Sequence, residues 1–322
     1  MSDPGERVTI SVVVPIYNEE ETLDRLLERL VPALDGIGEP WEALFVNDGS
    51  VDASEKMLRA FHEKDPRLKV LNFSRNFGHQ VAVTCGLDYA IGDAVIVMDG
   101  DLQDPPEILA GMVARWREGY EVVYAIRQQR KENIFLRAGY RSFYWLLNRV
   151  SYLDIPLDSG DFSLMDRRVV DVLGQMPERN RFVRGLRTWT GFRQIGYEYA
   201  REARYAGYSK YGLSKLLRLA FDGLISYSYV PLRLVSNVGL LVSMTALGYM
   251  AYLVFMRVLG NQTIEGWVST VVIMLFLGGI QLLSLGVIGE YVGRIFEEVK
   301  LRPRYIVRDQ LGLNERVGRG AR

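Results

Sequence analysis

Two long uncharged runs near the C-terminus constrain this chain more than any other feature. Leu234–Met256 and Trp267–Gly289 contain no Asp, Glu, Lys or Arg. Each extends for roughly 23 residues, about 35 Å as α-helix against a hydrocarbon core of about 30 Å. Both are therefore expected to be transmembrane helices. Only Arg257–Gly266 separates them, too few residues for a domain but enough for a hairpin turn. Lys215, Arg218 and Arg233 precede the first run, and Arg294, Lys300, Arg302, Arg304 and Arg308 follow the second, against Arg257 alone in the loop. The positive-inside rule then puts the large N-terminal part and both termini in the cytoplasm, with the hairpin in the inner (plasma) membrane. The first apolar run, Val8–Ile16, follows an acidic tail and is interrupted by Thr9 and Ser11, which does not suit a secretory signal. A single Cys85 excludes an internal disulfide and fits a reducing compartment.

The first 130 residues alternate short apolar runs with amphipathic stretches. Strands are expected near Thr9–Val14, Ala43–Val46, Lys69–Phe73, Ala94–Met98 and Glu121–Ile126, with helices over Glu20–Leu34, Val51–Lys64 and Gln80–Ile91. Leu23, Leu26, Leu27, Leu30 and Leu34 share one helical face. Strand, helix, strand in succession implies crossovers and an α/β fold with a mainly parallel sheet. Pro105-Pro106 followed by Glu107 should open a further helix. After Arg127 the alternation stops. Asn133–Val150 looks like an aromatic-rich helix and Leu213–Ser226 like an interfacial one. Gly279, Gly286 and Gly293 recur every seven residues, marking a face for helix–helix approach. The expected organisation is a cytoplasmic domain over 1–212, a juxtamembrane amphipathic helix over 213–232, a two-helix transmembrane hairpin over 233–290 and a basic cytoplasmic tail over 291–322. The formal net charge is zero, yet Arg181–Arg218 is strongly basic. Beside a membrane span this charge suits anionic lipid headgroups; no nucleic-acid motif accompanies it.

Chemistry is concentrated at strand ends. Asp99-Gly100-Asp101-Leu102-Gln103-Asp104 follows the apolar run Ala94–Met98, placing carboxylates at the carboxyl end of a buried strand, where open α/β sheets hold ligands. Two such carboxylates suit Mg²⁺ or Mn²⁺ shared with a substrate diphosphate; a solvated turn is the plain alternative. Pro15-Ile16-Tyr17-Asn18-Glu19-Glu20 and Asn47-Asp48-Gly49-Ser50 end the first two strands on the same rim. Asp48 can accept hydrogen bonds from a base or ribose, and Tyr17 can offer a ring face. No G-x-G-x-x-G or G-x-x-x-x-G-K occurs on this rim, so a Gly-rich phosphate cradle is not expected. His62 and His79 lack metal-ligand spacing and read as surface or structural residues.

"VVVPIYNEE", "VNDGSVD", "SRNFGHQVAVTCGLDYAIGD" and "VMDGDLQDPPE", in that order, resemble family 2 glycosyltransferases of the GT-A fold. The chain is most similar to polyprenyl-phosphate glycosyltransferases of the dolichyl-phosphate mannose synthase, GtrB and ArnC type. The similarity runs from Val8 to Arg308 and includes "DSGDFSLMDR" and "RYAGYSKYG".

This resemblance implies that Pro15, Tyr17, Glu19 and Asp48 hold the nucleotide with Asn76 and Gln80 nearby, that Asp99 contacts donor sugar or ribose, and that Asp101 and Gln103, beside Asp99, bind the metal. Asp101 would thereby be catalytic. Asp161 takes the place of the family's base or acceptor-orienting carboxylate; orientation is favoured, because a lipid monophosphate is already anionic at neutral pH. Asp158 is the alternative, and either could instead cap a helix over Met165–Leu173. Arg204, Ser209 and Lys210 match the "R-x-x-G-x-S-K" element that would grip phosphate, with Arg127 and Arg137 as further acceptor-phosphate candidates. The implied reaction is inverting, metal-dependent transfer of a sugar, with UDP-glucose favoured, to undecaprenyl phosphate. A homo-oligomer, tetramers included, is also implied. A processive polysaccharide synthase would need a Q-x-x-R-W element and more spans. A non-catalytic membrane scaffold that keeps the fold is the reading from a different class.

Overall fold

A computed structural model describes residues 8–128, 159–179, 181–200, 230–259 and 266–313. The chain divides into two compact units. One comprises Met1–Arg141, Leu153–Lys210 and Arg302–Arg322, and the other Ser142–Tyr152 and Tyr211–Leu301.

The first unit is built on an eight-stranded sheet. Its elements run β1 (Ile10–Ile16), α1 (Leu23–Asp35), β2 (Trp41–Asn47), α2 (Ser54–Lys64), β3 (Leu68–Phe73), α3 (His79–Tyr89), β4 (Ala94–Val97), a 3-10 turn (Pro106–Ile108), α4 (Leu109–Arg117), β5 (Val122–Gln128), β6 (Ser159–Asp166), α5 (Arg167–Gln175), α6 (Val183–Trp189) and β7 (Gln194–Ala200). The strand order is β7-β5-β6-β4-β1-β2-β3-β8, with β8 (Val307–Leu311) supplied from the far end of the chain. β4, β1, β2 and β3 are mutually parallel, as the helical crossovers require. β6 runs antiparallel between β4 and β5, and β8 antiparallel beside β3.

Alternation along the strands gives the sheet two cores. Ile10, Val12, Val14 and Ile16 face α1, whose Leu23, Leu26, Leu30 and Leu34 are fully buried. Val13, Leu44, Val46, Val95 and Val97 face the side covered by α3 and α5. A Cβ on Gly86 of α3 would lie 2.1 Å from Val13 Cγ1; the missing side chain lets α3 close onto β1. Glu42 is buried in β2 but fully engaged: it accepts from Ser11 Oγ and Lys69 Nζ at 2.6 Å and from the Ile91 amide at 2.9 Å. That network closes the amino-terminal end of the sheet, leaving the carboxyl end for loops.

Three expectations are corrected here. The helix placed over Met165–Leu173 begins at Arg167, after β6, and its cap is Asp166, which accepts from the Arg168 amide at 3.0 Å; Asp161 is not a cap. The segment expected as a basic tail instead returns to the sheet as β8, where Asp309 accepts from Asn72 at 2.8 Å and pairs with Arg59 at 2.7 Å. The helix that holds the second expected span continues past Gly289 to Val299.

The second unit contains α7 (Val230–Val258) and α8 (Trp267–Val299). Among the described residues, Phe276–Val299 alone is long and apolar enough to cross a bilayer, judged by length and composition. In α7 the apolar stretch Val235–Tyr249 is shorter, so the pair of spans is not established. Val235, Val238, Phe276, Gly279, Ile280, Leu283 and Ser284 line a groove of about 290 Å³ between the helices. The helices expected over Asn133–Val150 and Leu213–Ser226 lie outside the described residues, as do Asp158, Arg137, Arg204, Ser209 and Lys210. Arg127 is in β5.

Candidate active site

The carboxyl ends of β1, β2 and β4 converge because the strands are parallel and in register: Ile16 pairs with Asn47, and Val13 with Val97. Loops from these ends are laced together. The Asn18 and Glu19 amides donate to Ser50 Oγ and Ser54 Oγ at 3.0 Å, and the Val51 amide donates to Asn18 Oδ1 at 2.9 Å. Asn18 and Leu102 hold positive φ angles of 54° and 62°. Such backbone strain persists only where surrounding structure fixes it.

Asp48 is buried, and its carboxylate accepts from the Phe77 amide at 2.6 Å and the Gly78 amide at 2.9 Å. It thus organises the loop leading into α3. Burial outweighs these amides and raises its pKa. Next to it, Gly49 has φ +70°, and a Cβ there would lie 2.5 Å from the Arg75 carbonyl carbon. Tyr17 is 47% exposed, so its ring face is open at the rim. Pro15 is buried within β1, Glu19 accepts from Thr22 Oγ1 at 2.9 Å, and Asn76 is exposed.

The acidic loop is turned inward. Asp101 Oδ1 accepts from the Gln103 amide at 3.1 Å, and Gln103 is itself buried. Asp104, which the strand-end argument left without a role, accepts from Tyr199 Oη at 2.9 Å and is buried. Burial, then repulsion from Asp104, pushes the Asp99 pKa up to about 7; Asp101 and Asp161 add to this and His79 opposes it. Asp99 Oδ1 is buried and has no hydrogen-bond partner among the described residues.

Asp161 reaches the same rim through strand pairing. Val97 is opposite Ser163 in the antiparallel β4–β6 ladder. Continuing that register sets Asp161 beside Asp99. His79 connects the two, with Nε2 3.6 Å from Asp99 Oδ1 and 3.7 Å from Asp161 Oδ2. Gln80 donates from Nε2 to Asp161 Oδ2 at 2.9 Å while its Oε1 accepts from the Val183 amide at 3.0 Å. It thus ties Asp161 to the start of α6. Arg184 Nε lies 3.5 Å from Asp161 Oδ1, and Arg187 is buried behind them. Burial would raise the Asp161 pKa, but His79, Arg184 and Arg187 prevail and hold it at about 2. His79 is lowered by burial, yet Asp161, Asp99 and Asp48 raise it above its ordinary value.

His79, Arg184 and Arg187 were not foreseen as site residues. Their partners lie far away in the chain, so no local spacing announces them; the one available signal was the basic excess after Arg181. The site can thus present two carboxylates of opposite tuning, which separates acid-base and electrostatic roles.

As to a metal, the donor set is hard oxygen, and the orphaned Asp99 Oδ1 in a crowd of carboxylates fits a divalent cation. Among the described residues no group of three or more His, Cys, Asp or Glu side chains is placed to hold a metal ion.

Comparison with known proteins agrees with this geometry. The model of glycosyl transferase family 2 matches residues 11–174, and that of the GtrB C-terminal hairpin matches residues 230–295. The chain is 49% identical to the uncharacterized glycosyltransferase YkcC of Bacillus subtilis over 98% of both chains. It is 40% identical to the bactoprenol glucosyl transferase of Shigella phage SfX, covering 94% of this chain and 99% of that one. It is also 40% identical to the prophage bactoprenol glucosyl transferase homolog of Escherichia coli, covering 93% and 98%. A GT-A type sheet with its carboxylates on one rim, followed by this hairpin, makes the chain a glycosyltransferase, a member of family 2 of the GtrB type.

Proposed function

We propose that this protein transfers glucose from UDP-glucose to undecaprenyl phosphate, with inversion, at the cytoplasmic face of the plasma membrane. The observation that carries the reading is the meeting of Asp99 and Asp161 on one rim, oppositely tuned, with His79 between them. The names of the phage relatives support both the sugar and the lipid carrier.

The acceptor phosphate needs no base. Its second pKa lies near 6, so an anionic oxygen is available at neutral pH. That oxygen bonds to the anomeric carbon from the face opposite the nucleotide, the bond to the leaving oxygen breaks, and a nucleoside diphosphate departs with the electron pair. Asp161, held near 2, is a poor proton acceptor; it orients the acceptor and the cationic groups around it. Tyr17 and the loop held by Asp48 receive the nucleotide, with Pro15, Glu19 and Asn76 around it. Asp99, Asp101 and Gln103 would hold Mg²⁺ or Mn²⁺, the remaining ligands coming from the donor diphosphate. When bound, the ion offsets negative charge developing on the leaving group.

In this reading α7 and α8 both cross the membrane and hold the carrier lipid near the rim, with both termini cytoplasmic. The helix expected over 213–232 lies in the interface, and Arg127, Arg137, Arg204, Ser209 and Lys210 assist with acceptor phosphate. Gly279, Gly286 and Gly293 serve a contact between copies in a homo-oligomer. The test is direct: full-length protein in detergent is incubated with undecaprenyl phosphate, Mn²⁺ and a panel of nucleotide sugars, and the lipid product is identified by mass spectrometry. A glucosyl lipid formed from UDP-glucose is expected. A different sugar would correct the donor alone, and no nucleoside diphosphate release with any donor would favour the scaffold.

A further inference from the structure

We propose that the C-terminal return to the sheet, through Tyr305 and Asp309, positions the two loops that receive the donor nucleotide. This role presupposes the donor site proposed above and adds to it residues that act through others.

Two chains of contacts begin on the return and end at that site. The first is aromatic. Tyr305 stacks on Phe73, the last residue of β3, with ring centroids 5.5 Å apart and 10° between the planes. Phe73 in turn meets Phe77 edge-on, at 5.5 Å and 87°. Phe77 lies in the loop between β3 and α3, and its amide is the one that donates to Asp48 Oδ1 at 2.6 Å. The return also holds the start of that loop by its backbone, since the Ser74 amide donates to the Ile306 carbonyl at 3.0 Å.

The second chain is polar and crosses β3 to reach β2. Asp309 Oδ1 accepts from Asn72 Nδ2 at 2.8 Å, Asn72 Oδ1 accepts from Asn47 Nδ2 at 2.9 Å, and Asn47 Oδ1 accepts from the Ser50 amide at 3.0 Å. Ser50 Oγ then accepts from the amide of Asn18, the neighbour of Tyr17, at 3.0 Å. Asn47 and Asn72 are buried, so a broken link would leave an amide group unpaired away from water.

An edge strand that only covered β3 would need neither chain, because ladder hydrogen bonds to β3 suffice for that. Here the pairing shifts register: Asn72 is opposite Asp309, but Phe73 is opposite Val307. Arg308 is the extra residue of this bulge, and bulges re-aim side chains at sheet edges and beside active sites. Past it the return runs beyond the end of β3 to Ser74, and Tyr305 is fixed from a second side by donating to Asp88 Oδ2 of α3 at 2.9 Å. Aromatic pairs prefer particular angles, and a satisfied buried polar network specifies one arrangement. Both therefore transmit position from the return to the loops.

The test uses the full chain in detergent, with calorimetric titration of UDP and of GDP, each with Mn²⁺, and of farnesyl phosphate, alongside thermal unfolding. Tyr305→Leu should weaken the bound nucleotide about threefold or more and leave farnesyl phosphate affinity within about twofold. Tyr305→Phe, which keeps the stack and loses only the bond to Asp88, should bind nucleotide like wild type. Asp309→Leu should weaken the nucleotide, whereas Asp309→Asn, which still offers Asn72 an acceptor, should not. Leu34→Ala is the control for stability alone. It opens a cavity where α1 leads into β2, at the amino-terminal end of the sheet, so it should melt earlier with nucleotide affinity intact. Unchanged nucleotide affinity in Tyr305→Leu overturns the proposal, as does an equal loss in Leu34→Ala or for farnesyl phosphate. Should Tyr305→Leu fail to fold, the Asp309 pair decides in the same way. Wild type that binds nucleotide yet transfers no sugar refutes the reaction and leaves the positioning role standing; wild type that binds neither nucleotide refutes the donor site and this role with it.

Discussion

Asp161 and Asp99 differ in charge state because their neighbours differ. Cationic groups on α3 and α6 hold Asp161 near 2, below its ordinary 3.8, so folding favours its ionised form. That stabilisation is complete above the unfolded pKa and disappears as pH falls from about 4 towards 2. It amounts to about 2 kcal/mol. Asp161→Asn should therefore be less stable than wild type at pH 7 by about that much, and thermal unfolding should show the gap narrowing on acidification. A gap independent of pH would mean the carboxylate's charge is not what the fold uses. Asp101→Ala, in contrast, should leave unfolding nearly unchanged and abolish lipid-sugar formation, while chelation of the metal should silence the wild type equally. Turnover that survives chelation would sink the metal role. The rim carboxylates were legible because apolar strands end abruptly in Asp-rich loops. His79 was not, since neither Asp99 nor Asp161 is its sequence neighbour and only the β4–β6 pairing brings them together. Gln80 is expected near the nucleotide, and its amide also bridges Asp161 and the Val183 amide of α6, a link that no local spacing announces.

At the level of elements, the parallel strands were legible through apolar runs separated by amphipathic helices, a pattern that crossover connections impose. β6 escaped because an antiparallel insertion needs no crossover helix, and its Ser159, Asp161 and Ser163 break the apolar run. β8 escaped because it is a short edge strand carrying Arg308 and Asp309, and charged edge strands look like tails. The loops between elements are where the site is held, and Gly49 is their tightest point. Its positive φ and the approach of the Arg75–Asn76 backbone leave no room for a methyl group. Gly49→Ala should cost about 1–3 kcal/mol and loosen the β2 and β3 loops together, since Asp48 ties one to the other. Thermal unfolding and UDP titration should fall in parallel. Lower stability with unaltered UDP affinity would show that these loops do not shape the nucleotide site.

For the whole molecule, the course of the chain matters more than any one contact. After α8 it returns to complete the sheet that its own N-terminal half began, so residues 302–313 belong structurally to the catalytic unit. Tyr305 stacks on Phe73 with ring centroids 5.5 Å apart and donates to Asp88 at 2.9 Å, while Arg308 pairs with Glu55 at 2.6 Å and Arg304 donates to the Met176 carbonyl at 2.7 Å. These contacts cover β3, which would otherwise present an unpaired edge able to recruit another chain. Deleting residues 302–322 from the full-length protein should therefore lower the unfolding temperature of the catalytic unit and promote aggregation, although every proposed catalytic residue remains. The measurement is thermal unfolding with light scattering, made in the same detergent for both proteins. Double substitution of Tyr305 and Arg308 by Ala should reproduce part of the loss without shortening the chain. If the deletion melted and scattered like wild type, β8 would be dispensable decoration on the sheet. If it destabilises as expected, a fragment cut before the hairpin is a poor surrogate for this enzyme, because its sheet lacks a strand that only the far side of the hairpin supplies.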